Sequence, residues 1–447
     1  MKRLVSLVYV LFVLSAALVF AGGQGQQQGA SSAGGGAASA TILYWANTDD
    51  TGVMRRLVEA YNATNPAQKV ELVLVPGAET EVSKLMTAVR SGTGPDIYNL
   101  DRFTIGERAA GGLLEDITDY VNKIDPNYGK NFLSYAWAET QFKGRTFGIP
   151  NGTDTRAMYW RKDLFREAGI DPDILDPKNG PVDVKTLQQI ANRLNVTDAQ
   201  GNYTRVGFIP WATQIGQGWH YTYGYAFGGS FADVGAMKVT PTNPGVVAAF
   251  QYFYDVGKEL DPQKIRTFIS TYAPPNNPPQ RNPFITGNLG VLVHGSWFIR
   301  DLIQYAPDIE WGVTYIPVPK PGDQSATWAG GWSLVIPKGS KNIDGAVRFI
   351  MWMAGEQGQR LRCGFENKAY LPTWQPILAD DSLFAPQYSF VRDLLSVTKS
   401  RPVLPVGAYY WDQLSIAMEE VWTTTKTPLD ALKVVETQTQ AQLDRFK

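Results

Sequence analysis

From Thr41 onward, apolar and polar positions fall into short alternating blocks. Thr41–Trp45 is an apolar run that passes into the polar turn Ala46–Asp50 and predicts a strand. Val53, Leu57, Val58 and Tyr61 then recur at helical spacing and predict a helix ending near Asn65-Pro66. Lys69–Val75 predicts a second strand, Glu79–Arg90 an amphipathic helix, and Gly94–Tyr98 the start of a third strand. Strand–helix alternation of this kind predicts an α/β fold with a parallel, doubly wound sheet. Ligands of such sheets lie beyond the carboxyl ends of the strands. Those ends carry Asn47, Asp49 and Asp50 after the first strand and Asp101-Arg102 after the third.

The pattern changes between Gln141 and Asp173. Thr146–Ile149 is extended, and Pro150, which has no N–H to give a ladder, predicts that pairing ends or changes there. Polar residues 151–155 follow, then a second extended run, Ala157–Trp160, and a short helix over Asp163–Ala168 capped by Gly169. Two strands joined with no room for a helix fit a chain crossing between two lobes, with Thr153 and Asp154 facing a cleft. They fit equally a β-meander within one domain.

Further on, helices are predicted over Lys185–Leu194, Asn243–Leu260, Phe298–Tyr305 and Ile343–Ala354, and a strand over Gly290–His294. Trp211–Phe231 is a long aromatic and glycine segment, and Tyr272–Pro283 a proline-rich loop. Ala329–Ile336 is a second candidate crossing. The last hundred residues read as helices broken at Leu371-Pro372 and Arg401–Pro405.

Length changes the picture first: 447 residues exceed one compact core, so two domains are expected. Lys2-Arg3 and the apolar run Leu4–Phe20 read as a secretory signal over residues 1–21, cleaved after Ala21 or retained as an anchor. Residues 22–40 are low-complexity Gly, Gln, Ser and Ala and read as a flexible tether. With 41 basic against 42 acidic residues, no nucleic-acid or membrane-surface field is indicated. Cys363 is the single cysteine and His220 and His294 are the two histidines. No intrachain disulfide can form, and neither a metal nor a cofactor is expected.

The signatures of a Ser nucleophile elbow, a phosphate-binding loop and a zinc protease are missing from the sequence. No catalytic residue is therefore assigned, although paired carboxylates for glycoside hydrolysis remain open because their spacing is spatial. What recurs is tryptophan beside polar turns: Trp45, Trp211, Trp219, Trp297, Trp328, Trp332 and Trp411. The C–H face of a pyranose packs on such rings, while carboxylates, Asn and Arg hold its hydroxyls.

In this order, residues 41–447 resemble the extracellular solute-binding proteins of bacterial ABC importers, in the maltose/oligosaccharide-binding group. The resemblance is carried by Tyr44–Asp49, by Asp96–Phe103 with Gly112–Leu114, and by Phe147–Pro150 with Lys162–Phe165. Gly295-Ser296-Trp297, Gly330-Gly331-Trp332 and Tyr409–Trp411 complete it. Asp50 stands where the maltose binders carry lysine, and Trp211–Tyr221 does not align cleanly. The resemblance implies a two-lobed α/β periplasmic-binding fold of type II with three hinge crossings and a central cleft. It places one lobe at 41–150 plus 330–365 and the other at 151–329 plus 366–447. It also implies a monomeric, exported protein on the outer side of the cytoplasmic membrane that captures a carbohydrate and delivers it to ABC permease subunits. The expected ligand-binding residues are Trp45, Asn47, Asp49, Asp101, Arg102, Asp154, Trp219, Tyr221, Trp297, Trp332 and Trp411. In this scheme the carboxylates and Arg102 fix hydroxyls, and Trp297 and Trp411 stack the rings. A secreted glycosidase with the same aromatic cleft, or the same fold binding another solute, are the alternatives.

Overall fold

The computed structural model describes residues 41–46, 52–64, 68–75, 82–211, 217–275 and 277–447. The expected signal and tether, and Asn47 and Asp49, lie outside the described residues.

Two five-stranded sheets organise residues 41–447. In chain order the strands are β1 (Ile42–Ala46), β2 (Val70–Leu74), β3 (Ile97–Asp101), β4 (Gly148–Pro150) and β5 (Arg156–Arg161). Then come β6 (Val196–Thr197), β7 (Tyr203–Phe208), β8 (Leu289–Gly295), β9 (Trp311–Thr314) and β10 (Trp332–Val335). The first sheet has the order β2-β1-β3-β10-β4 and the second β9-β5-β8-β7-β6. Strands β1, β2 and β3 run parallel, as the alternation predicts, whereas β10 runs antiparallel to both β3 and β4.

Period-two burial explains why the first sheet is covered on both faces. Ile42, Tyr44 and Ala46 join one apolar cluster with Ile97, Ile149 and Leu334. The opposite face puts Tyr98, Leu100 and Val335 against Val82 and Leu85, with half-buried Trp45 beside them. Strand β8 (LGVLVHG) is buried along its whole length, the mark of a central strand.

Helices α1 (Val53–Thr64) and α2 (Ser83–Arg90) follow β1 and β2. Within the second half lie α3 (Trp219–Ala226), α4 (Pro244–Leu260) and α5 (Phe298–Tyr305). Helices α6 (Ile343–Ala354), α7 (Glu356–Phe365), α8 (Gly407–Trp422) and α9 (Pro428–Leu443) complete the set used below. Helix α3 arises inside the segment read only as aromatic and glycine-rich. Trp219 through Gly224 and Ala226 are all buried, so the helix has no polar face for a periodic pattern to reveal.

The chain crosses between the sheets at 151–155, after β4, and at 329–331, before β10. Pro150 ends β4 at the sheet edge, where its missing N–H breaks no ladder, and Asn151 N donates to Trp332 O at 3.0 Å. Residues 366–388 pass between the two cores: Tyr370, Trp374 and Ile377 pack with the first, and Leu371 and Tyr388 with the second.

Candidate functional site

Between the sheets, against both crossings, lies a cavity of about 330 Å³. The first half contributes Asp101 from the end of β3 and Trp332 from the start of β10, residues paired in register across the sheet. The second half contributes Arg156, Ser296, Trp297, Arg300 and Tyr388, and later segments add Arg362, Glu366 and Arg401. The crossings themselves supply Asn151–Asp154 and Gly330-Gly331.

Ion pairs dominate the walls. Arg156 pairs with Asp154 and lies over Trp328 (3.6 Å) and Trp297 (5.1 Å). Glu366 is shared: Oε1 accepts from Arg362 Nε at 2.8 Å and Oε2 from Arg300 Nη1 at 3.1 Å. Arg300 is also paired with Asp301. Arg401 Nη2 donates to Asp101 Oδ1 at 2.9 Å, both side chains being buried. Burial pushes the Asp101 carboxyl above the ordinary carboxylate range, with the Arg401 guanidinium opposing that shift. Asp154 Oδ1 further accepts from Gly330 N at 2.8 Å, tying one crossing to the other. Such a wall presents fixed donors and acceptors with aromatic faces between them, suited to a hydroxylated ligand of low net charge.

Four of the sequence-predicted residues meet here: Asp101, Asp154, Trp297 and Trp332. Five others lie elsewhere. Arg102, expected to fix hydroxyls, is fully buried behind the cavity: Nε donates to Glu139 Oε2 (2.8 Å), Nη1 to Gly152 O (2.6 Å) and Nη2 to Gly330 O. Adjacent residues leaving a strand point to opposite sides, so Asp101 reaches the cavity and Arg102 the crossings. Trp411, expected to stack a ring, is buried against Phe103 (5.0 Å), His220 and Tyr221. Tyr221 and Trp219 belong to the same core, and Trp45 packs on the far face of the first sheet. Asn47 and Asp49 lie outside the described residues.

Sequence reasoning missed Arg156, Arg300, Arg362 and Arg401. Only Arg156, two residues from Asp154 in a candidate crossing, carried a signal. The i,i+4 spacing of Arg362 and Glu366 does not by itself distinguish a cavity wall from an ordinary surface pair.

Gly331 is required at its position. Its φ of +131° suits glycine alone, and a Cβ there would meet Gly152 O at 2.3 Å and Arg102 Nη1 at 2.7 Å. Gly331→Ala is expected to cost about 3 kcal/mol, read from urea unfolding, because crossing and arginine would both have to move.

Residues 44–360 match the family model described as bacterial extracellular solute-binding protein. The chain belongs to that family. Among relatives of this solute-binding protein, a galactooligosaccharide-binding protein of Bacillus subtilis is 22% identical over 88% of this chain and 86% of its own length. A maltotriose-binding protein of Pyrococcus abyssi is 24% identical over 76% of this chain and 68% of its own. A protein solved with mannobiose bound superposes with a TM-score of 0.78 at 23% identity, over 90% of this chain and all of that one. A Mycobacterium tuberculosis protein in complex with glycerophosphocholine superposes with a TM-score of 0.69 at 20% identity, over 91% of this chain and 99% of that one. These likenesses show a two-lobed type II solute-binding fold. No helix among the described residues is long and apolar enough to cross a membrane, and no group of His, Cys, Asp and Glu among them could hold a metal ion.

Proposed function

We propose that this protein is the extracytoplasmic sugar-binding component of an ABC importer, acting by capture and release without turnover. The observation that carries the reading is the cavity lined from both halves, where Trp297 and Trp332 accompany Asp101, Asp154 and paired arginines. A pyranose offers an apolar face to the rings and hydroxyls to the ion pairs, each matched by a residue type present. The sugars named for the relatives support it. Hinges at 151–155, 329–331 and within 366–388 would let the lobes close on the ligand, and the transmembrane permease subunits would read the closed form. Export by the Leu4–Phe20 signal and a monomeric state without nucleic-acid partners belong to the same reading.

Calorimetric titration with mono- and oligosaccharides is expected to give saturable binding, with the sugar recovered unaltered. Trp297→Ala is expected to weaken binding about tenfold or more while leaving the unfolding midpoint near its original value. A sugar product released during incubation would instead indicate a glycosidase.

A further inference from the structure

A second aromatic cluster borders the cavity without lining it. Phe103 of the first lobe and Trp328, Trp411 and Tyr221 of the second are each at most 3% exposed. They form a connected group, with Phe103–Trp411 centroids 5.0 Å apart and Trp328–Trp411 centroids 5.9 Å apart. Arg401 lines the cavity and also touches this group, its guanidinium 4.3 Å from the Phe103 ring centre and 4.9 Å from that of Trp328. The arginine therefore stands between the open space and the rings.

Its seat joins the two lobes. Arg401 Nη2 bonds Asp101 Oδ1 and lies 3.8 Å from Glu139 Oε2, so a cation of the second lobe enters an acidic pair of the first. Nearby, Glu107 Oε2 accepts from Ala408 N (2.8 Å) and Tyr409 N (3.3 Å) at the start of α8. Among the described residues, Arg401 Nε and Glu139 Oε1 have no hydrogen-bond partner. A buried network kept for stability alone would be expected to satisfy both atoms.

We propose that Arg401 is a specificity-determining residue that limits ligand length: it closes the cleft on the aromatic side and restricts it to a short sugar. The inference rests on the sugar reading above. At about 330 Å³ the remaining space lies near the lower end of the roughly 300–1,000 Å³ typical of small-molecule sites. That suits about one or two pyranose rings. A third ring extending toward the aromatic cluster would have to displace the Arg401–Asp101 pair, exposing two buried charges. The arginines lining the cavity already hold carboxylates (Arg156 with Asp154, Arg300 and Arg362 with Glu366, Arg401 with Asp101), so the short ligand is also uncharged.

The test is calorimetric titration of the mature protein with glucose, mannose and galactose oligomers of one to four rings. In any series that binds, affinity is expected to peak at one or two rings and to drop about tenfold or more at the third. Arg401→Ala, which removes the side chain from the cavity wall, and the double variant Arg401→Ala/Asp101→Asn, which in addition leaves no unpaired carboxylate at 101, are expected to shift the optimum toward three and four rings. Wild-type affinity that keeps rising through the third and fourth rings overturns the length limit alone and leaves the sugar reading standing. Folded variants with an unchanged length profile overturn the role of Arg401. Absence of binding in every series, with the protein shown folded by circular dichroism, overturns the sugar reading and this inference with it. If both variants fail to fold, the wild-type length profile decides.

Discussion

Replacing Arg102 with methionine is expected to lower stability by about 3–5 kcal/mol, the cost typical of breaking a buried ion pair from one side. Glu139, 1% exposed, would lose its closest cation, and the carbonyls of Gly152 and Gly330 would each lose a donor. Those carbonyls belong to the two crossings, so the damage reaches the cavity through the backbone. Urea unfolding is the measurement. A loss of ligand affinity in Arg102→Met should accompany a lower midpoint. A variant as stable as the parent but unable to bind would place Arg102 back among the ligand-contacting residues.

Acidification is expected to destabilise the protein well above the pH at which carboxylates usually titrate. Burial lowers both His220 and His294 to a pKa of about 3, from an ordinary 6.5. At His294 the weak bond to Gly295 O opposes the shift, while the Arg156 charge adds to it. Both histidines are neutral in the folded state, and the unfolded chain binds their protons more readily. Their contribution is therefore fully present above about pH 6.5 and is lost as the pH falls toward 3. Within that window each histidine is expected to cost up to about 1.4 kcal/mol per pH unit. The lowered carboxylates, such as Asp116 and Asp183, act only near and below their ordinary value of 3.8. Raised Asp101 binds its proton more readily when folded and works in the opposite direction above 3.8. Unfolding free energies at pH 7, 6 and 5 check the slope. His220→Phe, which fills the same space between Tyr221 and Trp411, should remove about half of it. A flat profile from pH 7 to 5 would contradict the burial argument.

The two results have a common origin in what buried polar groups do when the chain cannot avoid them. Arg102 is satisfied and ties the crossings at Gly152 and Gly330 together. His220 has no partner among the described residues for either ring nitrogen and is kept neutral. Neither role is written in local sequence. Asp101-Arg102 looks like one polar pair at a strand end, and only the direction of each side chain separates a cavity wall from a structural staple.

Local pattern alone determined a good deal. Phe298–Tyr305 and Ile343–Ala354 were legible to the residue because each is helical with one apolar face over a single core. The opening strand–helix alternation announced the parallel half of the first sheet, and Pro150 marked the first crossing. Asp101 and Asp154 could be named because they stand at a strand end and a crossing, and Trp297 and Trp332 because they follow glycine turns that resemble those of the sugar-binding proteins. Tertiary structure decided the rest. Helix α3 is buried on all sides, so no periodicity betrayed it. Trp219, Tyr221 and Trp411 were drawn into a core that no local signal distinguishes from an open ring-binding wall. The arginines at 156, 300, 362 and 401 come together from segments far apart in the chain. A charge becomes part of a site only when folding supplies its partner and removes its water, and both depend on residues that sequence order leaves distant.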